Sequence, residues 1–420
     1  MRYDVAVVGA GPAGSATAIA AARASLSVIL FEREDKGRDK YCGGGITEAA
    51  KKWLAELGAK EAQETFEVIC EGHVLVLPGL RLLIDRVRGN SYAMVRRCVF
   101  DTKLMEIAES YGARLLTATE VVSISTQKDY VLLMDRKGER YEASYVVLAT
   151  GMRDRLVRSL GFPRIPPEHI GHCWGTEATY DSKRQIVKWR QSFGFTPIFI
   201  MFGIVTYGYF WVFPKASHMN VGMGTTLRES TKYRKLHKES YIRGLEVAKK
   251  LGVIDDTSRF SVNKGWILPA RPRARTYSTD NRALLVGDAA GFVHPMTGEG
   301  ISSALRSGMI AAETVKKALD LNDPTVLAEY ERAWWKDFGR ELFHYGVKLA
   351  SLFYSSPRLL DLGLRGLMED RHAVKLLSAL LYRSDPRASE KLYKYVIKRA
   401  PLLLAKALKA DKRRDYSDAP

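Results

Sequence analysis

A chain of 420 residues, 46% hydrophobic and 27% charged, is too long for one small core and too apolar for disorder, so two or three packed lobes are expected. Its net charge of +18 asks for an anionic partner; no zinc-finger, RNP or helix-turn-helix pattern points to nucleic acid, which leaves acidic lipid headgroups or an acidic redox protein. Four scattered cysteines (Cys42, Cys70, Cys98, Cys173) form no CxxC pair and suggest neither a disulfide framework nor a metal site, and with no basic-then-apolar leader the chain reads as cytoplasmic.

The first element is a buried strand, Val5 to Val8, followed by Gly9-Ala10-Gly11-Pro12-Ala13-Gly14 and an Ala-rich helix to about Arg23. In this strand–turn–helix setting Gly9 makes the turn, Gly11 admits a pyrophosphate to the helix N-terminus, and Gly14 lets helix and strand pack closely. A second strand, Val28 to Phe31, ends at Glu32, spaced to accept from a ribose hydroxyl. The motif alone does not separate NAD from FAD. Next comes Lys40-Tyr41-Cys42-Gly43-Gly44-Gly45-Ile46, where three glycines let a backbone lie close against a partner beside one thiol. Arg97-Cys98-Val99-Phe100-Asp101 opens a helix reaching Tyr111, and Tyr145 to Leu148 is a buried strand that turns at Ala149-Thr150-Gly151.

From about 166 to 266, with a piece near 66–95, the pattern changes to strand-like runs: His172 to Tyr180, Phe195 to Val205, Tyr209 to Phe213 and Met219 to Thr225. They predict an inserted antiparallel sheet. Within it, Phe193 to Pro214 carries no charge and is long enough to span a membrane. Pro197, three glycines and many aromatic and β-branched residues predict instead two strands with a turn near Thr206 to Gly208. Apolar residues on both faces predict a core on one side and a greasy partner on the other.

Further on, Leu284 to Ile301 reads as a strand, a glycine-rich loop and the start of a long helix. Asp288 sits at the strand end, suited to a polyol hydroxyl, and Gly298 to Gly300 open a helix whose dipole favours an anionic edge. From about Asp323 the pattern is helical, and Arg371 to Arg414 holds thirteen Lys/Arg against three Asp/Glu. Arg387, Lys391, Lys394 and Lys398 share a stripe, while Leu402, Leu403, Leu404 and Leu408 follow Pro401.

In this order and at these separations GxGxxG, RxxFD, ATG and GDAAGxxxPxxGEGI resemble the FAD-binding halves of the p-hydroxybenzoate-hydroxylase-like flavoproteins. With CGGG after the first βαβ unit and Tyr209 to Pro214 matching YxWxFP, residues 1–320 are similar to the geranylgeranyl reductase family. Flavin halogenases carry WxWxIP instead, and here Tyr209 and Phe213 replace Trp and Ile. The resemblance implies an α/β fold: a Rossmann-like FAD-binding domain (1–65, 96–165, 267–322), an inserted antiparallel-sheet substrate domain (66–95, 166–266) and a C-terminal helical, basic region (323–420). The implied cofactor is FAD, held by Gly9, Gly11, Ala13, Gly14, Glu32, Arg33, Cys42, Gly43, Gly44, Gly45, Arg97, Val122, Thr150, Gly151, Asp288, Gly298, Gly300 and Ile301.

The implied reaction is hydride transfer from reduced flavin to isolated C=C bonds of a polyprenyl lipid, with a proton added at the other carbon. An isolated alkene accepts hydride poorly, so a water-excluding slot and a placed acid are needed. Cys42, Tyr209 and Trp211 are the catalytic candidates. Tyr209, Phe210, Trp211, Phe213, Pro214, His294 and Pro295 are the substrate-contacting ones. No second GxGxxG follows a strand, so the donor is expected to be ferredoxin, another reduced flavin or transiently bound NAD(P)H. No cysteine follows Cys173, which argues against a quinone-linked iron–sulfur relative. The basic C-terminus predicts peripheral attachment to an anionic membrane by a monomer. A flavin monooxygenase on an apolar substrate and a flavin-containing lipid-binding protein without turnover are the alternatives.

Overall fold

The computed structural model describes residues 2–86, 89–227, 229, 234–261, 264–354 and 356–415. At its centre Arg2–Val8 lies between two parallel neighbours, Val28–Phe31 and Arg140–Leu148. The sheet continues to Arg114–Leu116 on one side and to Ala283–Leu285 and Tyr277–Ser278 on the other. A hairpin, Val121–Thr126 with Val131–Asp135, pairs antiparallel with Arg140–Leu148 and completes eight strands. Val5 to Val8 are buried throughout, the pattern of a strand covered on both faces, which is why this run does not alternate.

Small residues bring the covering helices in close. In the helix Pro12–Arg23, Ala16, Ala18 and Ala21 have no exposed surface. The long helix Ile301–Asp320 crosses it so closely that a Cβ on Gly308 would stand 2.4 Å from the Ala13 carbonyl oxygen. A Cβ on Gly14 would lie 1.8 Å from the Gly9 oxygen. The third member, Arg97–Ser110, runs through the expected RxxFD helix.

The second large sheet has seven strands, in the order Lys264–Pro269, Ile170–Thr179, His218–Thr226, Tyr209–Pro214, Pro197–Met201, Gly72–Leu77 and Arg81–Asp85. Neighbours are antiparallel except for Pro197–Met201, which runs parallel to Gly72–Leu77. The uncharged run thus forms two strands, and Tyr207 in the turn between them adopts φ 55°. Among the described residues no helix is long and apolar enough to cross a membrane.

The two-residue alternation of strands explains why this sheet is apolar on both faces. Val74, Val76, Phe199, Met201, Phe210 and Val212 pack with Trp189 of the helix Ser182–Phe193 and Tyr241 of the helix Arg234–Lys250. Leu75, Leu77, Ile198 and Ile200 pack with Leu364, Leu377 and Leu380 from the C-terminal helices Pro357–Met368 and Arg371–Tyr382. A small third sheet is formed by Gly45–Ile46, Tyr92–Met94 and Val68–Cys70. The C-terminal region is helical as expected. A π-helical stretch, Trp335–Gly346, passes directly into Val347–Phe353, and the last helix, Ala388–Asp415, contains Pro401.

Candidate active site

Two cavities join beneath the boundary between the large sheets. The larger, about 680 Å³, lies at the C-terminal ends of the parallel strands, where open α/β sheets take their ligands. Gly9, Gly11, Glu32, Arg33, Val122, Thr150 and Gly151 all border it. Gly9 has φ +104°, and a Cβ there would stand 2.4 Å from the Ala149 oxygen, so its glycine is dictated by both conformation and space. Gly11 precedes the helix without a side-chain cap, leaving the opening of Pro12–Arg23 to a ligand. Ala13 and Gly14 lie behind it as packing residues.

Glu32, 4% exposed, accepts from the Ala10 and Glu34 amides at 3.2 Å each. Arg38, which sequence reasoning missed, spans Glu32 (3.0 Å) and Asp101 (3.2 Å). Its Nε is near Glu32 but out of line for a hydrogen bond, so a buried donor is left beside the cavity. The uncapped helix opening at Gly11, the Arg38 guanidinium and the Glu32 carboxylate together offer donors and an acceptor suited to phosphates and ribose hydroxyls. The donor set therefore fits the adenosine-diphosphate half of FAD.

The second cavity, about 220 Å³, shares Lys40, Tyr41, Arg97 and Trp266 with the first. Cys42, Gly43, Gly44 and Gly45 form one wall; Asp288, Gly298, Gly300 and Ile301 form another. Lys40 ion-pairs with Asp288 at 3.3 Å, and Glu299 takes the Ser302 amide at 2.7 Å at the opening of the long helix. Arg97 is buried against Asp101 through two bonds of 2.7 and 2.8 Å. Burial alone would lower its pKa, but the Asp101 carboxylate and the neighbouring Cys42 sulfur raise it, so the guanidinium stays charged beside the thiol.

The opposite wall is apolar. Tyr209, Trp211 and Phe213, alternate residues of one strand, face the cavity together with Ile198 and Ile200. Trp211 Nε1 donates to Asn220 Oδ1 at 2.7 Å, and Asn220 Nδ2 donates to the Cys42 carbonyl at 3.2 Å and to Glu177 at 3.3 Å. Tyr209 donates its hydroxyl to the Thr297 carbonyl, and burial raises its pKa well above the ordinary value, so it remains protonated. Burial likewise pushes the Cys173 thiol on this wall up to about 12. This wall of the slot thus carries groups that stay uncharged at neutral pH, in contrast to the Lys40, Asp288 and Arg97 side chains across from it.

Three expected substrate residues fall elsewhere. Phe210 has no exposed surface and points to the other side of the sheet, against Tyr241 at 5.6 Å, because strand alternation separates it from Tyr209 and Trp211. Pro214 is likewise buried outside the cavity. His294 is fully buried: its Nδ1 accepts from the Met296 and Thr297 amides, and its Nε2 meets Ser389 Oγ at 3.1 Å. It ties the glycine loop to the last helix rather than touching the slot. Pro295 borders a third cavity of about 450 Å³, which joins the slot at Cys173, Tyr209, Trp211, Leu268 and Gly298.

The family model for an FAD binding domain matches residues 2–334. Digeranylgeranylglycerophospholipid reductase 1 of Methanopyrus kandleri is 32% identical over 397 residues, covering 91% of this chain and 98% of the relative. The chain belongs to the digeranylgeranylglycerophospholipid reductase family of FAD-binding oxidoreductases. The family member from Methanocaldococcus jannaschii is 30% identical over 410 residues, 96% of each chain. A solved structure of a geranylgeranyl bacteriochlorophyll reductase-like protein from Thermoplasma acidophilum superposes with a TM-score of 0.74 at 23% identity, covering 96% of this chain and 99% of that one, and shares the fold. FAD is therefore the cofactor of this reductase family member.

Proposed function

We propose that the protein saturates isolated C=C bonds in geranylgeranyl chains of a membrane ether lipid. The observation that carries this reading is the apolar slot of Ile198, Ile200, Tyr209, Trp211 and Phe213 facing the Cys42–Gly45 loop, directly joined to the cavity that fits the cofactor. The names of the relatives support the substrate class. Residues 1–65, 96–165 and 267–322 are read as the FAD-binding unit, 66–95 and 166–266 as the substrate unit, and 323–420 as the helical unit.

Reduced FAD, when bound, supplies hydride. Glu32, Arg38, Arg97 and the glycines of the first turn would hold its phosphates and ribose, and Asp288 its polyol chain. The Cys42–Gly45 backbone, which lines the adjoining cavity, would face its ring system. Tyr209, Trp211 and Phe213 exclude water and align a flexible chain. Cys42 is the candidate to hold the proton for the second carbon at Sγ; a Cys42→Ser enzyme with full turnover would remove it from that role. Ferredoxin, a reduced flavin or NAD(P)H reloads the cofactor.

The protein is read as a monomer bound peripherally to an anionic membrane. The last helix exposes Ile397, Leu404 and Leu408 on one face, with exposed Lys398 on its flank and Leu402 further round. Two lysines of the expected stripe are already paired, Lys391 with Asp385 and Lys394 with Glu390. Because Ala388, Ser389 and Leu392 are buried, exposed leucines are cleaner targets than a deletion. Leu404→Asp with Leu408→Asp should lower partitioning onto anionic vesicles by about tenfold; unchanged partitioning sinks the membrane reading.

Mass spectrometry of a geranylgeranylated lipid after incubation with chemically reduced enzyme tests the reaction itself. Two mass units gained per double bond are expected, in the absence of O₂. Oxygen addition would mark a monooxygenase, and no change would end the reductase reading.

A further inference from the structure

Three successive carbonyls of the glycine loop are held by residues outside it. Asn220 Nδ2 donates to the Cys42 oxygen at 3.2 Å, Lys215 Nζ to the Gly43 oxygen at 2.6 Å, and the Val95 amide to the Gly44 oxygen at 2.9 Å. Lys215 is the unexpected member. A lysine just after Pro214 at a strand end normally reaches solvent, yet this one has no exposed surface. Its ammonium makes a second bond, to the Val95 carbonyl at 2.8 Å, and among the described residues no carboxylate pairs with it. Burial lowers its pKa, while Glu177, Cys42 and Glu67 act in the opposite sense. Burying an unpaired ammonium opposes folding, so its position calls for a reason beyond packing.

The reason lies across one peptide group. The Gly43–Gly44 unit that gives its oxygen to Lys215 also gives its N–H to Cys42, with Gly44 N 3.4 Å from Sγ. A peptide is planar, so holding its oxygen sets the direction of its hydrogen. The ammonium also polarises the amide and strengthens the bond that amide donates. Gly44 has φ +68°, and a Cβ there would stand 2.5 Å from Lys215 Nζ and 2.2 Å from the Val95 oxygen. The third position of CGGG is therefore glycine on account of this lysine as much as of any ligand.

We propose that Lys215 is a positioning residue for Cys42: it orients the Gly43–Gly44 peptide so that its N–H holds the sulfur at the cavity wall, near the Arg97 guanidinium. The inference rests on the reductase reading for its catalytic consequence, but its test reads the sulfur directly. The thiolate is the form that attacks an alkylating agent, and a donor aimed at sulfur stabilises that form.

The FAD-loaded protein is treated with iodoacetamide at fixed pH, and modification of Cys42 is followed by peptide mass spectrometry against half-buried Cys98 as internal reference. Lys215→Met keeps the chain length but removes charge and donors; the Cys42:Cys98 rate ratio should fall about tenfold, the scale of one hydrogen bond to a charged group. Lys215→Gln keeps two N–H donors for the two carbonyls and should stay within about threefold of the parent. An unchanged ratio in folded Lys215→Met overturns the proposal. Should that variant not fold, a tenfold loss in folded Lys215→Gln overturns it instead. A ratio that falls as expected while the parent enzyme leaves the lipid mass unchanged would sink the reductase reading and leave the role of Lys215 standing.

Discussion

The parallel sheet and the inserted sheet meet at one cavity and contribute to it by different means. The first supplies backbone: Gly9, Gly11 and Gly151 matter because they carry no side chain, and Glu32 stands at a strand end where geometry alone would place it. The second supplies side chains on one face of a pleat, so that Tyr209, Trp211 and Phe213 line the slot while Phe210 and Val212 form core behind it. A backbone site tolerates almost no substitution at its glycines and many elsewhere. A pleat site tolerates change residue by residue, with opposite consequences for neighbours in sequence.

That contrast can be broken in graded ways. The largest effect is expected at Gly14, where any Cβ would stand 1.8 Å from the Gly9 oxygen. Gly14→Val should yield no soluble, flavin-bearing protein, read from the soluble yield and the visible flavin absorbance of the purified chain. Phe210→Ala should destabilise by about 3–5 kcal/mol in denaturant titration, yet leave the slot lined. Trp211→Ala should do the reverse, costing about 100-fold in kcat/KM through lost alignment with a smaller stability change. Equal losses of turnover in the two variants would refute the division of the strand into a lining face and a packing face.

A smaller effect concerns pH. His73, fully buried where the inserted sheet meets the helix Arg371–Tyr382, has its pKa lowered to about 4 by burial, with Asp85 at 3.8 Å only partly offsetting this. Above pH 6.5 the imidazole is neutral in folded and unfolded chains alike. As pH falls from about 6.5 toward 4 only the unfolded chain takes the proton, so stability drops by about 1.4 kcal/mol per unit, about 3 kcal/mol in all. His294, lowered in the same direction by burial and then by Arg383, adds to the trend. His73→Phe should flatten the stability profile between pH 6.5 and 4; an unchanged slope would show that other groups govern it.

The cofactor half was legible because its signals are local. Strand, turn and helix follow one another within Val5 to Arg23, and glycine spacing reports the backbone directly. The YxWxFP run was legible as a strand, but grouping Phe210 with Tyr209 and Trp211 passed over the two-residue alternation that turns it to the opposite face. His294 looked like a lining residue from its place beside Pro295. Its actual partner, Ser389, is distant in sequence, and nothing near either residue announces the contact. Arg38 and Lys215 escaped notice for a related reason. A lysine or arginine in a loop reads as solvated, and only the tertiary structure shows that one meets Glu32 and Asp101 and the other two backbone carbonyls.

The single parallel pairing in the inserted sheet has a consequence during synthesis. Gly72–Leu77 is buried along its whole length, and its partner Pro197–Met201 lies roughly 120 residues later in the chain. At about 5–20 residues per second, the hairpin Gly72–Asp85 emerges some 6–24 seconds before the strand that covers its apolar edge. For that interval the nascent chain carries an open, greasy strand edge, the kind of surface that chaperones bind and that aggregates when they are scarce. Expression yield is therefore expected to respond to chaperone supply and growth temperature more steeply than the stability of the finished molecule would suggest.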